Sequence, residues 1–344
     1  MTAPTAIRST VLGLAAGDAL SWTSADHREQ LLSPRRLGML RFLENYADQT
    51  RSTTRPRPHV HSSPTRTLRP GPSDDLEWFA FSTAAQIREI QGEAEGVNRA
   101  WIELAGHRST LRARTGTQHA LANLANGQSP PQSGHDNPHY FDDIACVRAV
   151  AAGILGAESD TLAASLAERD AQVTHSLDGV WCARGTAVLV AQLIRGADAE
   201  TSVSAGISQL PDNTWSRRLA EQALSIAANA RSALDLAMRL DAELTDKVYS
   251  YAVAAPETFA ILIAHLSIAP SADALLAGAF AHGRNADALP ALGGALAGAR
   301  FGADWLPRQL TDDAIEFDGI CIPSLAGTQL EDTIRELESA RSAV

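Results

Sequence analysis

Apolar residues recur along this chain at helical spacing almost from end to end, whereas strict alternation of apolar and polar residues, the mark of a half-buried strand, is nearly absent. Alanine and leucine, both strong helix formers, fill most of the recurring positions. The pattern predicts an all-α fold with helices near residues 9–21, 74–92, 96–106, 116–126, 143–156, 160–170, 176–195, 213–240, 256–267, 271–282, 287–301 and 328–341. Two stretches break it. Residues 51–72 carry five prolines, many arginines, and His59 and His61, which rules out a regular helix and predicts an exposed loop leading into Ser73. Residues 127–140, GQSPPQSGHDNPHY, read as a second long loop, and loops of that length are often functional. In the last third, AGAFAHG and LGGALAGARFG place small residues at helical spacing, so that helix backbones can approach closely.

A chain of 344 residues can bury a large core, and no linker-like composition divides its second half, so a single domain over 1–344 is expected. The net charge of −11, from 29 Lys and Arg against 40 Asp and Glu, argues against a nucleic-acid or membrane surface, either of which calls for clustered basic residues. Cys146, Cys182 and Cys321 are an odd number without CxxC spacing, so neither a disulfide framework nor a zinc site follows, and a reducing cytoplasm fits. The N-terminal MTAPTAIRST lacks a signal-like apolar region, and no apolar run approaches the ~18 residues of a membrane span. A soluble protein is expected.

Four constellations are candidates for chemistry. Ser73-Asp74-Asp75 precedes the apolar run LEWFAFSTAA. A serine cap and first-turn acids are a routine helix start, yet the same three oxygen donors suit a hard cation. Asn285 and Asp287 open another apolar helix and are equally readable as caps. Two acidic helix starts far apart in sequence would be needed for a shared metal. The third is Tyr140-Phe141-Asp142-Asp143 followed by Ile144 to Arg148, and the fourth is Thr174-His175-Ser176. A lone histidine at a helix start is more often structural than catalytic, and an arginine after an acidic pair can form a plain ion pair.

In order along the chain stand GLAAGDAL (13–20), SDD (73–75), DDIACVR (142–148), THS (174–176), YAVAAPETFAILIA (251–264) and NADALPALGGALAGARFGADWLP (285–307). This ordered set resembles the ADP-ribosylglycohydrolase family, of the dinitrogenase-reductase-activating type, over nearly the whole chain. The family's corresponding patterns run roughly GxxxGDALG, TDDT, NGxxMR, THxxP and GGDADTxxAxxGAxxGAxxGxxxIP. The resemblance implies an all-α orthogonal multi-helix bundle holding Mg²⁺ or Mn²⁺, with carboxylates and metal-bound water cleaving an N- or O-glycosidic bond to ADP-ribose. Carried over by position, Ser73, Asp74, Asp75, Asn285 and Asp287 are implied as metal ligands. Asp75 and Asp287 are implied as catalytic carboxylates, and Asp143, Arg148 and His175 as substrate contacts.

The departures are specific. Asn285 stands where the family has an aspartate and Ala288 where it has a threonine, so one ion rather than two is expected. Leu76 replaces the last threonine of TDDT, Asp143-Ile144 replaces Asn-Gly, Val147 replaces the methionine, and Leu177-Asp178 alters the end of THxxP. Three functions are compatible with this reading: hydrolysis of an ADP-ribosylated protein or small conjugate, the same chemistry on a small nucleoside or sugar, or a catalytically retired binding protein. An added carboxylate at Asp143 motivates the second, because it would repel a pyrophosphate. Neither the aglycone nor the oligomeric state follows from the sequence.

Overall fold

The computed structural model describes residues 3–20, 74–246, 253–282, 284–306, 308 and 314–342. The proline-rich stretch 51–72 and Ser73 lie outside the described residues. Among those described the chain is all-α: fifteen α-helices and two isolated β-bridges, with no strand.

In chain order the helices are α1 (Ala3–Leu20), α2 (Asp74–Ile90), α3 (Gly96–Ala105), α4 (Thr115–Ala125), the single turn α5 (Gln132–His135), α6 (Ile144–Leu155), α7 (Asp160–Thr174), α8 (Asp178–Ile194), α9 (Ala199–Ile207), α10 (Trp215–Ala227), α11 (Ala233–Glu243), α12 (Ala255–Ile268), α13 (Ala272–Phe280), α14 (Ala288–Phe301) and α15 (Leu330–Ser342). Most expected helices are present. The long helix expected over 213–240 is two, because Ser232 accepts a hydrogen bond from Asp235 N while the Asp235 carboxylate accepts from Arg231 N, a reciprocal cap that starts α11 afresh. Helix α9 went unpredicted; Asp198 caps it by accepting from Thr201 N.

The centre of the bundle is built from helices apolar all round, as buried helices are. Every residue of α6 is buried, as is every residue of α12 from Ala255 to Leu266. Helix α14 crosses α1 at backbone contact. A Cβ on Gly294 would lie 2.0 Å from Gly13 O, one on Gly17 would lie 1.9 Å from Pro290 O, and one on Gly298 would lie 1.9 Å from Ser9 O. The small residues of LGGALAGARFG thus serve tight packing, and that packing fixes the start of α14, where Asp287 sits.

The break at 127–140 is ordered and has a structural task. Ser133 Oγ donates to Val173 O, and Asn137 Nδ2 donates to Gly116 O and Thr174 O at 3.0 and 2.8 Å. It ties the start of α4 to the end of α7. At the C-terminal end, the buried Glu77 carboxylate accepts from the backbone N–H groups of Ile320, Cys321 and Ile322 at 2.8 to 2.9 Å, anchoring that loop against α2.

Candidate functional site: four aspartates around Arg114

Four helix starts converge on one point. Asp74 and Asp75 lie in the first turn of α2, Asp143 is the N-cap residue of α6, Asp287 is the N-cap residue of α14, and Arg114 is the N-cap residue of α4. The N-terminal end of a helix is electropositive, which suits the aspartates and makes an arginine there unusual. Arg114 does not cap its helix through its side chain. Its guanidinium reaches across to the other three starts.

The contacts are these. Arg114 Nη1 donates to Asp143 Oδ1. Nη2 is 3.1 Å from Asp75 Oδ1 and 2.9 Å from Asp287 Oδ2, and Nε is 3.5 Å from Asp74 Oδ2. The Asp75 and Asp143 side chains are fully buried, whereas Arg114 (10% exposed), Asp287 (8%) and Asp74 (13%) keep an edge toward solvent. The cluster therefore has a closed floor and a narrow open rim.

A second layer holds this floor. Thr258 Oγ1 donates to Asp143 Oδ2 at 2.6 Å, and Asn285 Nδ2 donates to Thr258 Oγ1 at 2.9 Å and to Ala254 O at 3.3 Å. Asn285 adopts φ 54°, the left-handed region that asparagine tolerates better than most residues. Beside it, Ala255 N donates to Phe141 O at 2.8 Å, locking the start of α12 to the segment that carries Asp142 and Asp143.

Arg148 and His175, expected as substrate contacts, belong to a network separate from the Arg114 cluster. Both are completely buried. Arg148 Nε donates to Asp170 Oδ2 at 2.7 Å and its guanidinium carbon stands 4.9 Å from the Trp101 ring centre, while Trp101 Nε1 donates to Asp170 Oδ1. Arg148 Nη2 donates to Thr174 Oγ1 at 2.7 Å, Thr174 Oγ1 contacts His175 Nδ1 at 2.6 Å, and His175 Nε2 contacts Asp142 Oδ1 at 2.9 Å. Because the carboxylate only accepts, Nε2 carries the hydrogen and the threonine hydroxyl donates to Nδ1. The relay ends on Asp142 and braces the Asp142-Asp143 turn from below.

The electrostatics follow from this geometry. Burial opposes the charge of Arg114, but Asp143, Asp75, Asp74 and Asp142 outweigh it and hold the guanidinium more firmly protonated than usual. Burial pushes the Asp143 carboxyl above its ordinary range despite Arg114 and Thr258. For Asp142 burial acts in the same direction, but the adjacent His175 with its hydrogen bond, and Arg114, bring it below the ordinary range.

The donor chemistry of Asp74, Asp75, Asp143 and Asp287 is that of a hard-cation site, but the place is taken. A Mg²⁺ reaching both Asp75 and Asp287 at about 2.1 Å would touch the guanidinium lying between them. A divalent ion about 4 Å from a fixed positive charge is repelled by roughly 8 kcal/mol at an effective dielectric of 20. Among the described residues no group of three or more His, Cys, Asp or Glu is disposed to hold a metal. The expected Mg²⁺ or Mn²⁺ ligand set therefore does not fit a metal with Arg114 in position; Asn285, an expected ligand, gives its Nδ2 hydrogens to Thr258 and Ala254 and keeps its Oδ1 buried without a hydrogen-bond partner. Ser73, the remaining one, lies outside the described residues.

Sequence reasoning missed Arg114, Thr258 and the bracing role of Asp142. The available signal for Arg114 was its place in LRARTGTQ, where a helix start carries a long cation instead of a short acceptor. For Thr258 there was none, since it lies mid-pattern in an apolar helix.

Comparison with known proteins agrees with the architecture. A solved structure described as "ADP-ribosylglycohydrolase-related protein complex" superposes with a TM-score of 0.56 at 17% identity, covering 99% of this chain and 98% of that one, which establishes a shared fold. No curated protein matches the chain. No described helix is long and apolar enough to cross a membrane. The sequence model of ADP-ribosylglycohydrolases, a family of glycosidic hydrolases, matches residues 2–342, and the chain belongs to that family.

Proposed function

We propose that this protein hydrolyses a glycosidic bond at the anomeric carbon of ribose in an ADP-ribose-containing conjugate, using the rim of the Arg114 cluster. The observation that carries the reading is the convergence of Asp74, Asp75, Asp143 and Asp287 on one partly open point around the Arg114 guanidinium. Glycoside hydrolysis passes through an oxocarbenium-like transition state, and a site with four carboxylates and one cation favours positive charge developing above it. Asp287, on the rim, accepts the proton of the attacking water. Asp75 and Asp143, held in the floor, supply field and not proton transfer. Asp74 faces the same rim, and in this reading it meets the ribose hydroxyls.

Asp143 is pinned between Arg114 and Thr258. That removes most of the argument for a substrate changed to avoid a pyrophosphate. The non-catalytic reading retains one specific support: two of the four carboxylates are sealed from solvent.

The test is release of free ADP-ribose from a panel of N- and O-linked ADP-ribosyl conjugates, with ribosides lacking the pyrophosphate as controls. Turnover of one conjugate class, abolished by Asp287→Asn in a protein that keeps its helical spectrum, supports the proposal. No release from any member of the panel overturns it in favour of a binding protein. Cleavage of the simple ribosides alone moves the substrate class to small sugars or nucleosides.

A further inference from the structure

We propose that the Arg114 guanidinium is the resident cation of this site, standing where Asp74, Asp75, Asp143 and Asp287 would otherwise hold a divalent ion, so that the chain works without metal and gains a metal site only when Arg114 is shortened. This concerns which cation holds the site together, and it stands whether or not the glycosidic reaction above is the right one.

Three observations carry it. The guanidinium lies against oxygens from three separate helix starts, with Nη2 bridging Asp75 and Asp287 and Nη1 on Asp143, so one planar group performs the convergence that a coordinated ion would. Arginine suits the task because its rigid fork of donors stays charged under any condition in which the protein is folded. Second, the side chain is delivered from a fixed point. Arg114 O accepts from Gln118 N at 2.9 Å, and a Cβ on Gly116 would lie 2.6 Å from Asp142 Oδ2, so the α4 start is seated on the Asp142 turn. The glycine lets the α4 start lie close against that turn, and the four carboxylate contacts hold the guanidinium itself.

Third, the neighbouring donors are arranged for a lower positive charge. Asn285, buried beside the cluster, is a neutral amide, and it spends its Nδ2 hydrogens on Thr258 and Ala254. Thr258 in turn donates to Asp143. This layer stabilises a carboxylate through hydrogen bonds, where a second divalent ion would have done so through coordination.

The test uses the full chain and reads metal binding and thermal stability, so its failure is distinct from failure of the hydrolase proposal. Wild type, Arg114→Ala and Arg114→Lys are titrated with Mn²⁺ by calorimetry and by the paramagnetic resonance of free Mn²⁺, and melted with either Mn²⁺ or EDTA. Wild type is expected to bind no Mn²⁺ tighter than the millimolar range and to melt alike in both. Arg114→Ala, which leaves buried carboxylates without their cation, is expected to melt roughly 5 to 15 °C lower in EDTA, to bind one Mn²⁺ at least 100-fold more tightly than wild type, and to recover much of the lost melting temperature on binding it. Arg114→Lys keeps a charge and is expected to gain little Mn²⁺ affinity. One tight Mn²⁺ per wild-type chain, lost in Asp287→Asn, would overturn the proposal, as would a folded Arg114→Ala that gains none. Should Arg114→Ala be insoluble in EDTA, its recovery as soluble protein when expressed and purified with Mn²⁺ supports the proposal, and continued insolubility with Mn²⁺ counts against it.

Discussion

His175 Nε2 donates to Asp142 Oδ1 at 2.9 Å, and neither side chain reaches solvent. The histidine is therefore a brace for the turn that presents Asp143. Replacing it with phenylalanine preserves bulk but leaves a buried carboxylate short of a donor and the Thr174 hydroxyl short of an acceptor, a loss of about 1 to 3 kcal/mol. His175→Phe is expected to lower the denaturation midpoint accordingly. A variant as stable as wild type with activity selectively lost would instead put His175 in contact with substrate.

Thr258 is the link between Asn285 and Asp143. Thr258→Val keeps the shape and removes both hydrogen bonds, so Asp143 retains only Arg114 as its strong partner. The expected cost is again about 1 to 3 kcal/mol, whereas Thr258→Ser, which keeps the hydroxyl, should stay within about 1 kcal/mol of wild type. Equal stability of the two variants would show that the hydroxyl is dispensable.

These two residues mark where the sequence was legible and where it was not. Helical periodicity is a local property repeated along the chain, so the all-α class and most helices could be read directly; the break inside 213–240 escaped because Ser232 acts as a cap only in partnership with Asp235. Asp74, Asp75, Asp143 and Asp287 could be singled out because acids at helix starts are visible in sequence. Their common partner was not, because Arg114 reaches them from a helix start 39, 29 and 173 residues away from Asp75, Asp143 and Asp287, respectively (114 − 75, 143 − 114 and 287 − 114). Spacing arguments pair residues within a helix and say nothing about which distant starts a bundle brings together. The partner of Arg148 was equally out of reach: the family resemblance implied a substrate contact, whereas the fold pairs Arg148, completely buried, with Asp170 on a neighbouring helix.

The crossing of α1 and α14 carries a prediction about how the site is positioned. A methyl group on Gly294 would sit 2.0 Å from Gly13 O, against backbone that has no rotamer to adopt. Gly294→Ala should force the helices apart and cost at least the roughly 1 to 3 kcal/mol typical of overpacking, and it should displace Asp287 as well as reduce stability. Gly293→Ala is the informative neighbour, because its new methyl would meet only the Ala279 side chain, at 2.8 Å. The milder variant should retain more of the melting temperature. The reverse order, measured by calorimetric scanning, would mean that this crossing is not the tight one.

The pH dependence of stability is expected to come from a buried pair distant from the aspartates in function. His265 Nε2 and His282 Nε2 are 2.8 Å apart, and both rings are nearly fully buried. Burial first, and His282 second, brings His265 down to about 3; burial brings His282 down to about 4, against a small opposing pull from Asp241. In the unfolded chain both titrate near 6.5, so the unfolded state takes up protons first as the solution is acidified. Their contribution to stability is therefore complete above pH ~6.5 and is lost as pH falls from there toward the folded values, by at most about 1.4 kcal/mol per pH unit for each imidazole. Asp142, held below its ordinary value of 3.8, adds acid sensitivity only below that pH, whereas Asp143, Glu77 and Glu257, raised by burial, take up protons more readily when folded and oppose the loss at pH values above their ordinary 3.8, 4.5 and 4.5. Stability should thus be flat from pH 8 to about 6.5 and decline between about 6.5 and 5 with a slope of up to two protons. Replacing His282 with glutamine removes one titrating ring and keeps a hydrogen-bonding side chain, so the slope in that window should fall by about half even if overall stability is lower. Chemical denaturation at a series of pH values measures it, and an unchanged slope in His282→Gln would assign the acid sensitivity to other groups.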